Sequence, residues 1–192
     1  MIKEIFLLAL GLIFTENIVF SSALGSGTLI TMSGKTGYVK GFCLSAFYLT
    51  VVSTSLTFFV SPLLSNTEAQ SIEPLVFIGI LGIVYIVTLV VASRLFVSRF
   101  ERLKKYIHVS AFNSVVLGSM VLAEKTSFTG YPELQGTFWA YFFYGVFTAF
   151  AFILAVAVIS AVYPRLHSEK IPYAFRGYPS MLLFLGIIAM TI

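Results

Sequence analysis

Charge is scarce in this chain. Of its 192 residues, 10% are Asp, Glu, Lys or Arg, while 58% are hydrophobic. A soluble domain carries about 25% charged and about 45–50% apolar residues. That deficit excludes an ordinary soluble domain, a disordered chain and a nucleic-acid binder. Cysteine is scarcer still, with Cys43 alone. A single cysteine excludes an internal disulfide. It also excludes a zinc or iron–sulfur site built from this chain's cysteines by themselves, which takes three or four. A Gly-rich phosphate loop, a dinucleotide fingerprint and a catalytic-triad pattern are missing too, so the chain does not read as a self-sufficient catalyst. What it has in abundance is long apolar runs. They predict an all-α integral membrane protein.

A membrane crossing needs about 20 mostly apolar residues. Six segments qualify, within one membrane domain over 1–192: about 5–24, 39–64, 74–97, 107–123, 137–162 and 179–192. The first ends in a small, polar stretch, Gly25-Ser26-Gly27-Thr28. The fourth is short and unusually polar. The sixth is short for a full crossing, which low tilt or local bilayer thinning accommodates. No signal-peptide pattern precedes them, because Lys3 is followed at once by Glu4.

The loops predict orientation. Lys35 and Lys40 follow the first segment. Arg94, Arg99, Arg102, Lys104 and Lys105 accompany the third, and Arg165, Lys170 and Arg176 follow the fifth. Ten of the twelve basic residues thus fall on one side. The positive-inside rule makes that side cytoplasmic and leaves both termini on the outer face. Glu4, Glu68, Glu73, Glu124 and Glu133 lean the other way, with Glu101 and Glu169 among the basic loops.

Polar residues inside segments are the candidate functional groups. Glu16 and Asn17 interrupt the first segment. A charge at mid-membrane costs roughly 2.5–3.5 kcal/mol on insertion scales, so such groups face protein or water. Adjacent helical residues point about 100° apart, so the pair does not share one narrow seam. Glu16 reads either as a protonated, hydrogen-bonded packing residue or as a proton or cation site or partner contact. The fourth segment carries His108, Ser110, Asn113, Ser114 and Ser119. Close helix packing explains the serines better than it explains Asn113. His108 reads as an interfacial residue.

Leu24-Gly25-Ser26 is echoed by Leu117-Gly118-Ser119, 93 residues on. Six spans divided into two sets of three enter the membrane from opposite faces, the pattern of an inverted repeat with interrupted first and fourth helices. The phenylalanines of the fifth segment read as lipid-facing and packing surface, and Cys43 as a small packing residue. The basic run Arg99-Phe100-Glu101-Arg102-Leu103-Lys104-Lys105 reads as a topology signal that touches anionic headgroups, or as a docking loop for a cytoplasmic partner.

The chain resembles the small membrane subunits of the Rnf/Nqr family, in particular the A-type Rnf (E-type Nqr) subunits. The resemblance rests on Glu16-Asn17-Ile18-Val19 with Leu24-Gly25, on Phe112-Asn113-Ser114-Val115-Val116-Leu117-Gly118, and on Ile171-Pro172-Tyr173-Ala174-Phe175-Arg176-Gly177. It implies electron transfer coupled to Na⁺ or H⁺ movement in the inner (cytoplasmic) membrane, beside flavin and iron–sulfur redox subunits. It also implies a homologous membrane subunit of opposite topology, or a second copy. Two such subunits share one [2Fe–2S] cluster, each giving two cysteines. The implied ligand positions here are Gly27 and Ser114, and neither is cysteine. Glycine offers no side chain, and a serine alkoxide is a poor substitute for a thiolate. The expectation is therefore a chain that binds no cofactor or metal alone, keeps the scaffold and has lost its cluster ligands.

Three functions follow. One is a cluster-free scaffold or ion-path subunit of an Rnf/Nqr-like complex, with Glu16, Asn17, Asn113 and Ser114 as path candidates. Another is a non-redox transporter on the same inverted-repeat fold, with Glu16 as coupling carboxylate. The third is an anchor for a cytoplasmic domain docked on the third loop.

Overall fold

The computed structural model describes residues 1–34, 36–64, 72–126 and 128–191. Lys35, Glu68 and the last residue of the sixth predicted segment, Ile192, lie outside the described residues. Within them the chain is helical, without a strand. The helices are α1 (Ile2–Leu10), α2 (Ile18–Ser22), α3 (Ser26–Ser33), α4 (Thr36–Leu64), α5 (Glu73–Leu95), α6 (Phe100–Ala111), α7 (Ser114–Thr126), α8 (Phe138–Leu166) and α9 (Tyr178–Ala189). Three of them, α4, α5 and α8, are long and apolar enough to cross a membrane, and α6 with α7 forms a bent pair that passes the same test together.

α8 is the spine. Its inner face is built of small residues, Ala140, Gly145, Ala149, Ala151 and Ala155, all buried. Small residues let helix backbones approach closely where lipid supplies no hydrophobic drive for association. A Cβ at Gly145 would lie 3.2 Å from the Cα of Val51 on α4. Contacts run in opposite order along the two helices: Phe58 meets Tyr141, Thr54 meets Gly145, Phe47 meets Phe150 and Phe42 meets Phe152. The pair is antiparallel over its length. The α6–α7 pair runs parallel to α4, since Tyr106 meets Tyr38, Ser119 Oγ lies 2.9 Å from Thr54 Oγ1 and Glu124 meets Ser61. α5 covers one side with Phe77, Val84 and Ala92, and leaves a long aliphatic face outward.

These directions sort the connections. Gly34 packs on Tyr163, and Tyr38 on Tyr106, so the basic connections after α3, α5 and α8 share one end of the bundle. The opposite end holds the amino terminus, paired with Glu133, and Glu4 Oε2, which accepts from the Glu133 N–H at 3.0 Å.

The first predicted segment is broken twice. After α1 the chain makes a wide turn over Gly11–Thr15, in which the Glu16 N–H reaches the Gly11 carbonyl at 2.7 Å. It breaks at Glu16–Asn17, again at Ala23–Gly25, and resumes as α3. The polar stretch read as an ending is thus the start of a helix. Thr28 and Thr31 hydroxyls donate to the Gly25 and Gly27 carbonyls at 2.9 and 2.8 Å, which hides them from an apolar environment. Ala23 is the only non-glycine residue at this break with positive φ, at 55°. Its side chain is exposed. The left-handed conformation costs a non-glycine residue roughly 1–2 kcal/mol, so Ala23→Gly is expected to stabilise the chain by about 1 kcal/mol, read as a higher denaturation midpoint in detergent.

Candidate functional site where two broken helices meet

Every interruption inside an apolar bundle leaves backbone groups that need partners. Asn17 supplies them at the first break. Its Oδ1 accepts from the Val19 N–H at 3.1 Å and caps α2. Its Nδ2 donates to the Ile13 carbonyl at 3.2 Å and to the Ala151 carbonyl of α8 at 3.0 Å. The side chain is wholly buried. Asn113 repeats the device between α6 and α7, which bend by 46°. Its Oδ1 accepts from the Val115 N–H at 3.2 Å. The Asn113 amide nitrogen, by contrast, is buried and has no partner among the described residues.

The two breaks touch. The Gly25 N–H donates to Ser114 Oγ at 2.8 Å. Gly25 has φ +78°, and a Cβ there would lie 2.3 Å from Val115 Cγ2, 3.0 Å from Asn113 Oδ1 and 3.1 Å from the Phe152 ring. Only glycine satisfies both the backbone angle and the space. Ile18, Val19, Val115 and Phe152 belong to one buried cluster around this point. The Leu-Gly-Ser echo has a different meaning from the one its spacing predicts. Gly25 caps a helix, whereas Gly118 lies within α7 and leaves room for Leu24, whose Cδ1 would stand 2.4 Å from a Cβ. The recurring element is Asn-x-Val, at Asn17 and Asn113.

One side of the junction is open. Ser21, Ser22, Gly27, Phe112 and Ser114 are exposed, and a Cβ at Gly27 would meet nothing within 4 Å. Beside it a cleft of about 430 Å³ lies between α5 and the α6–α7 bend, lined by Ile78, Leu81, Tyr85, Phe112, Asn113 and Ser114. At its rim the Tyr85 hydroxyl is hydrogen-bonded to His108 Nδ1. His108 thus has a packing partner.

Of the sequence candidates, the structure brings Asn113, Ser114 and the Gly25–Gly27 stretch of chain together. Asn17 ties the neighbouring break to α8 through the Ala151 carbonyl. Glu16 is separate: its carboxylate is exposed and lies near Tyr131, whose phenol is pushed up first by burial and then by that negative charge. A carboxylate that the sequence pattern placed near a loop is built into the bundle. Glu124 lies in the last turns of α7 and accepts from Ser61 Oγ at 2.7 Å and from the Tyr141 hydroxyl at 3.0 Å. The missed signal is the absence of any breaker between Ala123 and Thr126, which lets α7 run on.

Ser114 Oγ already accepts a backbone N–H, Gly27 has no side chain, and Cys43 packs against the buried cluster from α4. No group of three or more His, Cys, Asp or Glu stands together among the described residues.

Residues 5–192 match the family described as "Rnf-Nqr subunit, membrane protein". The chain belongs to that family. It is therefore a multi-pass membrane protein. It is 22% identical to the A-type component of the Na(+)-translocating ferredoxin:NAD(+) oxidoreductase complex of Acetobacterium woodii, over 93% of this chain and 90% of that one. It is 26% identical to the A-type component of the ion-translocating oxidoreductase complex of Glaesserella parasuis, over 98% and 94%. It is 24% identical to the component of the same name from Syntrophotalea carbinolica, over 98% and 94%. The Rnf-Nqr family member thus resembles the A-type proteins, as its motifs indicate.

Proposed function

We propose that this chain is a membrane component of an ion-translocating electron-transport complex and serves as a scaffold or ion-path subunit that holds no [2Fe–2S] ligands of its own. The observation that carries this reading is the junction itself. Two interrupted helices are fixed to each other by the Gly25–Ser114 hydrogen bond, and the adjoining exposed face presents Gly27 and Ser114 where the family resemblance puts cysteines. The names of the A-type relatives support the complex, and the polar, exposed face inside an apolar bundle supports a protein partner there.

In this reading the chain crosses the inner membrane six times, as two inverted sets of three. Both termini face outward, and the basic end of the bundle is cytoplasmic. The partner at the junction is a homologous subunit of opposite topology or a second copy. Flavin and iron–sulfur subunits complete the assembly. Electrons then travel through groups held elsewhere.

The test is purification from native membranes in mild detergent, with mass spectrometry of what accompanies the chain. Flavoprotein and iron–sulfur subunits are expected. A lone homo-oligomer, or a pair with one small homologue, would instead favour the non-redox transporter with Glu16 as its coupling carboxylate. That alternative rests on the exposed carboxylate at the first break. One variant bears on both readings. Glu16→Gln abolishes ion movement in vesicles and leaves folding intact if Glu16 carries the ion, whether in the ion path of the complex or as the coupling carboxylate of a transporter, whereas a chain that only scaffolds the complex leaves transport unchanged.

A further inference from the structure

Two cavities adjoin at the basic end of the bundle, and their linings differ in kind. The first holds about 700 Å³ and is lined by Tyr38, Arg99, Glu101, Arg102, Lys105 and Tyr106. The second holds about 400 Å³, and Met32, Phe42 and Val109 make its apolar wall. Tyr38, Lys105 and Tyr106 line both. The rings of Tyr38 and Tyr106 meet edge to face with centroids 5.8 Å apart. Tyr106 is seated there by Gly41, where a Cβ would lie 2.4 Å from its ring. A polar chamber with three cations and one carboxylate therefore opens past two tyrosines into an apolar slot that points among α3, α4 and α6. No carboxylate pairs with Arg99, Arg102 or Lys105 among the described residues.

From this arrangement we infer that the paired cavities bind one anionic phospholipid. The headgroup phosphate sits among Arg99, Arg102 and Lys105, and an acyl chain runs along Met32, Phe42 and Val109. A phosphate supplies the charge the first chamber lacks, since the lone Glu101 leaves its cations in excess. A hydrocarbon chain fills the second without leaving a polar group unpaired. Paired tyrosines at the boundary match the depth at which amphipathic rings sit in a bilayer. A free phosphate would use only the first chamber, and an acidic protein segment would leave the apolar slot empty. The site is distinct from the junction of the broken helices and stands whether or not redox subunits accompany the chain.

Native mass spectrometry of the full chain in neutral detergent tests it, with phosphatidylglycerol and phosphatidylcholine of matched chains as probes. Phosphatidylglycerol is expected to be retained as one adduct and phosphatidylcholine to be lost. The Arg99→Gln/Arg102→Gln/Lys105→Gln variant should retain it roughly tenfold less or worse, since each basic group near a headgroup contributes separately. Arg94→Gln/Arg165→Gln, which removes charge outside both cavities, should leave retention unchanged. Val109→Phe, which fills the slot, should weaken the long-chain lipid and spare its dihexanoyl analogue. Equal retention of the two headgroups, or an unaffected triple variant, would overturn the inference. Displacement of the lipid by inorganic phosphate at equal concentration would assign the chamber to a free anion. Displacement by polyglutamate at equal charge would assign it to an acidic protein segment. Either result would refute the lipid.

Discussion

A Gly25→Ala variant is expected to lose about 3 kcal/mol or more of stability, the sum of a left-handed backbone forced on a side chain and an overpacked contact. The methyl group would meet Val115 Cγ2 at 2.3 Å and Asn113 Oδ1 at 3.0 Å, both held at the start of α7. Relief means moving α3 away from α7, and that movement breaks the Gly25–Ser114 hydrogen bond. Gly27→Ala is the built-in control. It lies two residues along the same helix, has no positive φ and faces open space. There alanine gains roughly 1 kcal/mol of helix propensity over glycine. The two variants should therefore move the denaturation midpoint in detergent in opposite directions. If both stabilise, or both leave the midpoint in place, the junction is not packed as described.

Composition made the helical membrane class legible because charge is expensive in lipid, and the same expense singled out Glu16, Asn17 and Asn113. What each does was not legible. Asn17 and Asn113 act through backbone angles and caps, and Asn17 reaches Ala151, 134 residues away. Such a contact leaves no local trace. The stretch Gly25-Ser26-Gly27-Thr28 reads as the end of the first segment on residue type, yet threonine hydroxyls returned to the backbone let it start α3. Glu16 stands out as an acid within an apolar run, and the structure leaves it exposed. Glu124 does not stand out, although its carboxylate is bonded to two other helices, because a hydropathy boundary falls a turn before the helix ends.

The largest chemical effect is expected from the double variant Gly27→Cys/Ser114→Cys. Wild type offers a glycine and a serine where the family resemblance implies thiolates, so it is expected to hold no iron through this face. Both positions are exposed on the open side of the junction, and the first has nothing within 4 Å of a Cβ. A thiol therefore enters without a clash. At the second, sulfur replaces an oxygen that accepts from the Gly25 N–H at 2.8 Å, and sulfur is the weaker acceptor. A loss of roughly 1 kcal/mol is expected there. Two thiolates are too few for a [2Fe–2S] cluster, which takes four ligands. The other two must come from a partner seated against the same face, either a second copy of the double variant or a homologue with its own pair. Anaerobic reconstitution with iron and sulfide should give visible absorption and bound iron in the double variant with such a partner. Each single variant, Gly27→Cys or Ser114→Cys, should stay colourless. A folded double variant that takes up no iron beside a partner with two cysteines would mean that Gly27 and Ser114 are not the positions of the family's ligands. A coloured one would mean that the scaffold outlasted the metal, and that two substitutions separate this chain from a cluster-bearing relative.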